Sequence, residues 1–307
     1  MKTWFFTSGL VPLSLAHSWV ERTMRIAPNG TMIGAPGYER AHVVRGTIPE
    51  DDIRWLLPPD GPHEKVIHLD HRIAHPRQRT LHYCDQFGPV KAAPGNFVAL
   101  QYQENGHVTL PTINPKKTLN RGTVYVYGTL HNNLTDTNLV DVHLAWTPDG
   151  TGGDRKGRLI ATRDYDDGQC YQINNEAISL QRQKKFPKTP EDPMGQNLWC
   201  QTDIQIPCDT PVGAIYTIIW VWDWPTMSEV GVPVPPASFH ANRTDAAVPY
   251  VKTPQIYTSV VDIQIVDVEP GMVCKEGGGL AGYVEQTNMN LAANRAQLGN
   301  LFQVGVL

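Results

Sequence analysis

With 307 residues, 41% of them hydrophobic and 18% charged, the chain has material for one large domain with a real core or for two small ones. Its formal net charge of −4 offers no basic field to grip a nucleic-acid backbone. That argues against a nucleic-acid partner and leaves neutral substrates open.

The first sixteen residues differ in character from the rest of the chain. Met1-Lys2 supplies a positive start, Trp4 to Leu15 is mostly apolar, and Ser14-Leu15-Ala16 puts small residues where signal peptidase cuts. The apolar run is too short for a permanent membrane span. Residues 1–16 therefore read as a signal peptide, with a buried helix or strand as the alternative. Cleavage after Ala16 leaves His17 first, and the mature protein is expected to be secreted, extracellular and not held at a membrane. Three glycosylation sequons agree with export, at Asn29, Asn133 and Asn242. So do the cysteines, Cys84, Cys170, Cys200, Cys208 and Cys274, which would meet an oxidising compartment. Five is odd, so at least one thiol is left over within the chain. Cys200 and Cys208 bracket an alternating run, Thr202 to Ile206, and a strand there would hold them beyond disulfide reach.

Strand signals dominate from there on. Phe97 to Tyr102, Thr123 to Tyr127, Tyr216 to Trp222 and Tyr257 to Val266 are rich in β-branched and aromatic residues. In the last of these, Ile256, Thr258, Val260, Asp262 and Gln264 share one face. Trp220, Trp222 and Trp224 also share a face, which reads as core packing. Gly and Pro clusters separate the runs, as at 57–62 and 149–153. The pattern predicts an all-β antiparallel β-sandwich with long loops. Sustained helical periodicity is absent until Tyr283 to Gln303, where a short helix is possible. Composition shifts near Pro270, and Lys275-Glu276-Gly277-Gly278-Gly279 looks like a linker. Residues 17–270 thus read as one domain and 271–307 as a linker-like C-terminal tail.

An exposed N-terminal histidine is the most unusual chemical feature. Its α-amine becomes a neutral nitrogen donor once a metal displaces the proton, and its imidazole can close a chelate ring with that amine. A second histidine would complete three nitrogens in a plane, a donor set that favours Cu(II). His107 is the candidate. It follows the strand 97–102 in Glu104-Asn105-Gly106-His107, and the Asn-Gly turn would lift its ring to the rim of the sheet. A solvent-exposed turn histidine is the plainer reading of the same residues.

His17-Ser18-Trp19-Val20-Glu21, Glu104-Asn105-Gly106-His107 and Pro254-Gln255-Ile256-Tyr257-Thr258-Ser259-Val260-Val261-Asp262-Ile263 together resemble the fungal lytic polysaccharide monooxygenases. The last patch looks like the Gln-x-Tyr strand of their cellulose-active families, and Tyr257 stands five positions before a strand Asp, as an aromatic does in the bacterial ones. Trp199 to Asp203 and Trp220 to Trp224 are similar to an uncharacterised fungal group of the same kind. The resemblance implies an immunoglobulin-like or fibronectin-like sandwich and one copper ion per chain. It implies His17 and His107 as the histidine brace, Tyr257 as axial metal residue and Gln255 beside it, these four forming the catalytic set. The implied activity is oxidative cleavage of a polysaccharide of the cellulose, xylan or chitin class by C–H hydroxylation. An external electron donor and O2 or H2O2 would take part, and the protein would act as a monomer. The sequence departs from the family at Val260 or Val261, where many fungal members carry cysteine, and at Ile256, where Phe is usual.

A polymer on a crystalline surface cannot enter a pocket, so such a site has to be open and flat. Trp19, Tyr38 and Tyr165 are candidate stacking residues for sugar faces, with burial in the core as the alternative for each. Two other activities are weaker. His63, His68, His71 and His75 suggest zinc, but His63 to His68 is one residue too long for a metalloprotease motif and Pro62 and Pro76 limit any helix. Asp164, Asp166 and Asp167 suggest a glycosidase pair, but a run of Asp before Gly is more often a turn. A non-catalytic copper-binding protein of the same fold, serving copper capture or the cell wall, is the main alternative to the enzyme. A metal-free structural or carbohydrate-binding sandwich is the third reading.

Overall fold

The computed structural model describes residues 17–27, 30–59, 65–188, 194–241, 247–268 and Cys274. Two sheets face each other. The smaller has the order β2-β1-β5-β8, from strands β1 (Arg22–Ile26), β2 (Met32–Gly37), β5 (Phe97–Tyr102) and β8 (Cys200–Gln205). The larger runs β3-β12-β9-β6-β7, from β3 (Leu56–Leu57), β6 (Thr123–Thr129), β7 (Gly157–Asp164), β9 (Ile215–Asp223) and β12 (Ile256–Ile265). A further strand, β4 (Val90–Ala92), pairs in parallel with the far end of β12, and every other pairing is antiparallel. A separate ribbon joins β10 (Thr226–Met227) to β11 (Val251–Thr253). The expected antiparallel all-β sandwich is the observed architecture.

Burial explains why the strands read so clearly. Between the sheets, Val98, Leu100 and Tyr102 of β5 and Ile204 of β8 meet Val124, Val126, Ile218, Trp220, Trp222, Tyr257, Val261 and Ile263 of the larger sheet. The opposite face of that sheet is buried as well, under the one-turn helix Leu139–Val142 and loops that contribute Ile67, Ile73, Trp146 and Phe239. Ile256 and Val260 lie in this outer core while Tyr257 and Val261 lie in the inner one, as strict alternation requires. Both faces being covered, β9 is apolar almost throughout.

Asp262, on the outer face of β12, is fully buried and grips Arg40 through two bonds of 2.7 and 2.8 Å. Thr217 and Tyr83 donate to the same carboxylate at 2.6 Å each. Removing one partner of so dry a pair would leave an uncompensated charge, a cost of about 3–5 kcal/mol. Disulfides join Cys170 to Cys200 and Cys208 to Cys274, leaving Cys84 free and exposed, so Cys200 and Cys208 do not pair with each other.

One feature differs from expectation. A nine-residue helix, α1 (Ala177–Lys185), has no apolar stripe to announce it. Apart from Ile178, which packs against the inner core, its described contacts are polar: Ser179 donates to the Gln172 carbonyl and Arg182 forks onto Asp166. Of the candidate tail 271–307 only Cys274 is described, bonded to Cys208 just past β8, and the helix considered over 283–303 falls outside the described residues. Among the described residues, no helix is long and apolar enough to cross a membrane.

Candidate metal centre

The chain from His17 to Glu21 runs alongside the end of β5. Ser18 Oγ donates to the Gln103 carbonyl at 2.8 Å, and Glu21 N–H to the Gln101 carbonyl at 2.9 Å. The His17 carbonyl accepts from Asn105 Nδ2 at 2.6 Å and from Arg45 at 3.3 Å. Arg45 is itself held by Glu21 and Glu50, at 2.9 and 2.5 Å, and lies 3.7 Å above the Trp19 ring. The turn that carries His107 thus also anchors, through Asn105, the residue expected to become the N-terminus.

The turn is built for one ring orientation. Asn105 and Gly106 both take positive φ, 44° and 79°, a combination that Asn and Gly tolerate best. This folds His107 back so that both its amide N–H and its Nδ1 meet the Glu104 carbonyl, at 2.8 and 2.7 Å. A carbonyl oxygen only accepts, so Nδ1 carries the proton and Nε2 of the neutral ring presents a lone pair. The Glu104 carboxylate locks the turn from below. It accepts from the amides of Val108, Thr109 and Gln172 at 2.8, 3.3 and 2.9 Å, and from the Thr109 hydroxyl. Metal-binding histidines are typically oriented by such a partner on the other ring nitrogen.

Aromatic rings floor this region. His107 meets Trp224 and Trp222 edge-on at 4.5 and 4.9 Å. Trp222 stacks on Tyr165 at 3.9 Å and on Tyr257 at 5.1 Å. The period-two tryptophans are core residues, and the core they build ends beneath the histidine. Strand pairing sets Tyr257 opposite Trp222, and the Tyr257 ring lies 6.3 Å from that of His17. Gln255 Nε2 donates to the Tyr257 hydroxyl at 3.1 Å. All four residues read from the sequence therefore gather at one end of the sandwich. In the 307-residue chain His17, His107 and Tyr257 are 5, 2 and 2% exposed, whereas a surface-acting site asks for an open face. There the His17 nitrogen is still an amide, bonded to Ala16.

Lys117 escaped the sequence reading. It sits in Pro115-Lys116-Lys117, which looks like a solvated turn, yet its ammonium donates to the Trp224 carbonyl, Thr226 Oγ1 and Gln255 Oε1 at 3.0, 3.0 and 2.5 Å. It also lies 3.7 Å over the Trp224 ring. Burial pulls this ammonium down to about 7, while the nearby Asp223 carboxylate acts in the opposite direction.

The other candidates take structural places. Trp19 and Tyr165 are buried, the first under Arg45 and the second against Trp222, so neither presents a ring to a sugar. Tyr38 is half-buried against His42 and Phe87. Asp166 is forked by Arg182, and Asp167 accepts from the amides of Gln169, Cys170 and Gln201. Asp164 accepts from Asn120. These are turn and capping carboxylates, not a facing acid pair. His63 falls outside the described residues. The one metal-like cluster among the described residues, Asp167 with Cys170 and Cys200, has its two sulfurs in a disulfide. Asn133 is exposed, while Asn29 and Asn242 fall outside the described residues.

Comparison with known proteins adds a family and little chemistry. The family model for a domain of unknown function, DUF7492, matches residues 14–295. No curated protein matches the chain. Among solved structures, a cellulose-active polysaccharide monooxygenase from M. thermophila aligns over 90% of each chain, at 14% identity and a TM-score of 0.31. A likeness at that level says nothing of this chain's side chains.

Proposed function

The chain belongs to the DUF7492 family, and we propose that it is a secreted copper-dependent monooxygenase acting on a polysaccharide. The observation that carries this reading is the orientation of His107, whose Nδ1 is committed to the Glu104 carbonyl so that Nε2 can bind a metal, in the same cluster as His17. After cleavage before His17, its amine and imidazole with His107 Nε2 form an all-nitrogen donor set that suits Cu(II). Tyr257 would complete the residues around the metal, with Gln255 as its hydrogen-bonded neighbour. Copper in such a site supplies one-electron chemistry with O2 or H2O2, drawing on an external electron donor.

The protein's own contribution is placement. Asn105 and Arg45 fix the His17 backbone, Glu104 fixes the His107 ring, and the tryptophan floor keeps one side of the site dry. The Pro-rich stretch 227–254 is a candidate substrate loop. At its base Met227 N–H donates to the Lys116 carbonyl and Ser228 N–H to the Tyr250 carbonyl, beside Gln255. Further along, Ser238 N–H donates to Asp223 and Phe239 joins the outer core, so this part covers the larger sheet's outer face.

The test is electron paramagnetic resonance of the secreted, processed protein titrated with Cu(II), beside a variant with one extra residue before His17. The expected result is a single tetragonal signal with nitrogen couplings that is lost in the extended variant. The same signal in both, or no stoichiometric copper, overturns the reading. If copper binds as expected but no polysaccharide yields oxidised products, the non-catalytic copper-binding alternative stands instead.

A further inference from the structure

We propose that Lys117 is a positioning residue that sets the direction of the hydrogen bond between Gln255 and Tyr257. An amide side chain is nearly symmetric in shape, and either end of Gln255 could face the tyrosine. The ammonium of Lys117 removes that choice. It has donors and no acceptor, so the atom 2.5 Å from it has to be the amide oxygen. The amide nitrogen is then turned toward Tyr257, where it donates to the phenolic oxygen at 3.1 Å. The phenol accepts from Gln255, so its own proton points in another direction. Without the ammonium, the amide can flip and accept the phenolic proton instead, at no cost in shape.

The lysine is well fixed for this task. Two further acceptors, the Trp224 carbonyl and Thr226 Oγ1, take its other two protons, and the Trp224 ring faces the charge. Trp224 lies just past β9 and Thr226 opens β10, while Gln255 immediately precedes β12, so the lysine reinforces a junction that the Trp224 N–H already makes with the Gln255 carbonyl at 2.8 Å. Trp224 also touches His107 at 4.5 Å, which places one cation against the supports of both the histidine and the tyrosine. The direction of the Gln255–Tyr257 bond follows from these contacts alone, whereas its bearing on a metal rests on the proposed copper site.

Two measurements test the assignment. In metal-free protein, thermal unfolding of wild type, Lys117→Met, Gln255→Glu and the double variant forms a cycle. The ammonium can meet a carboxylate at position 255, so Gln255→Glu should lower Tm by several degrees more in the Lys117→Met background than in wild type. Equal shifts in both backgrounds would show that Lys117 does not face the amide oxygen and overturn the proposal. The second readout is the Cu(II) resonance spectrum. Lys117→Met should shift the copper hyperfine coupling in the same sense as Gln255→Ala, the double variant should go no further than either, and Lys117→Arg should restore the signal. A nitrogen-coupled spectrum indifferent to Lys117→Met would leave the lysine a mere structural anchor and sink the positioning role. If wild type binds no copper, the proposed function fails, while the unfolding cycle still decides the Lys117–Gln255 bond.

Discussion

Two groups of histidines in this chain invite a metal from their sequence, the second more weakly than the first, and the structure treats them in opposite ways. His107 spends its ring proton on the Glu104 carbonyl and keeps a nitrogen lone pair. His71 and His75 do the reverse: each Nδ1 accepts a backbone N–H, from His68 and Arg77, both at 3.2 Å. In their neutral forms the other nitrogen then carries the proton, leaving no lone pair for a cation. His75 is also pushed down to about 4, by burial and by Arg77 and Arg79, so it stays neutral at ordinary pH. A histidine becomes a ligand through what its second nitrogen is asked to do, and spacing in the sequence does not reveal that.

The largest effect that could break this contrast is expected at the ligand itself. His107→Ala should abolish stoichiometric Cu(II) binding in the processed protein, while His68→Ala and His71→Ala should leave the isotherm unchanged, as titration calorimetry would show. Next comes the support. Glu104→Gln replaces a carboxylate that gathers four donors and should weaken copper binding about 10–100-fold. It should also cost about 1–3 kcal/mol of stability in denaturant unfolding. Wild-type behaviour in both would mean that the turn holds its shape without the carboxylate. Smaller still, Asn105→Gly keeps the positive φ but loses the bond to the His17 carbonyl, and about a fivefold loss of copper affinity is expected.

A third histidine, His42, sharpens the contrast from the side of pH. It bonds the buried Glu39 carboxyl at 2.9 Å. Burial pushes Glu39 up to about 7 despite that partner. The folded state therefore holds a proton on Glu39 that the unfolded chain has released above the ordinary carboxylate range. Its contribution to stability is full below about 4.5 and is lost as pH rises through about 7. Asp203, raised to about 7, and Asp167, raised to about 6, act in the same sense. His75, lowered to about 4, acts the opposite way but is outnumbered, so melting temperature should fall from pH 5 to pH 7, and Glu39→Gln should flatten part of that slope; a slope left intact would assign it to the aspartates.

How much of the molecule is legible in its sequence depends on the range of the interactions. Alternation in 256–264 and at the three tryptophans reveals the strand faces, because period two is a local property of the backbone. The gathering of His17, His107, Gln255 and Tyr257 is implied by a resemblance, and no spacing could have supplied it, since the partners lie far apart in sequence. Lys117 and Arg45 are invisible for the same reason. Each is an ordinary charged residue in a loop until the fold brings acceptors to it. Helix α1 has no signature because its stability comes from Ser179 and Arg182 contacts and not from an apolar stripe. Trp19 and Tyr165 look like surface rings only because an aromatic near a site carries no sign of which way it points.

The four donors on Glu104 have one more implication, for how this site can be inherited or transplanted. They come from the turn itself and from Gln172, a separation of 68 residues, and Thr109 is tied in turn to Asn174 at 2.9 Å. The segment leading into α1 is thus a working part of the histidine turn. Insertions that lengthen 172–176 would be felt at His107, and a graft of 104–109 onto another sandwich would arrive without its brace. The unit that has to travel together is a pair of loops, not a motif.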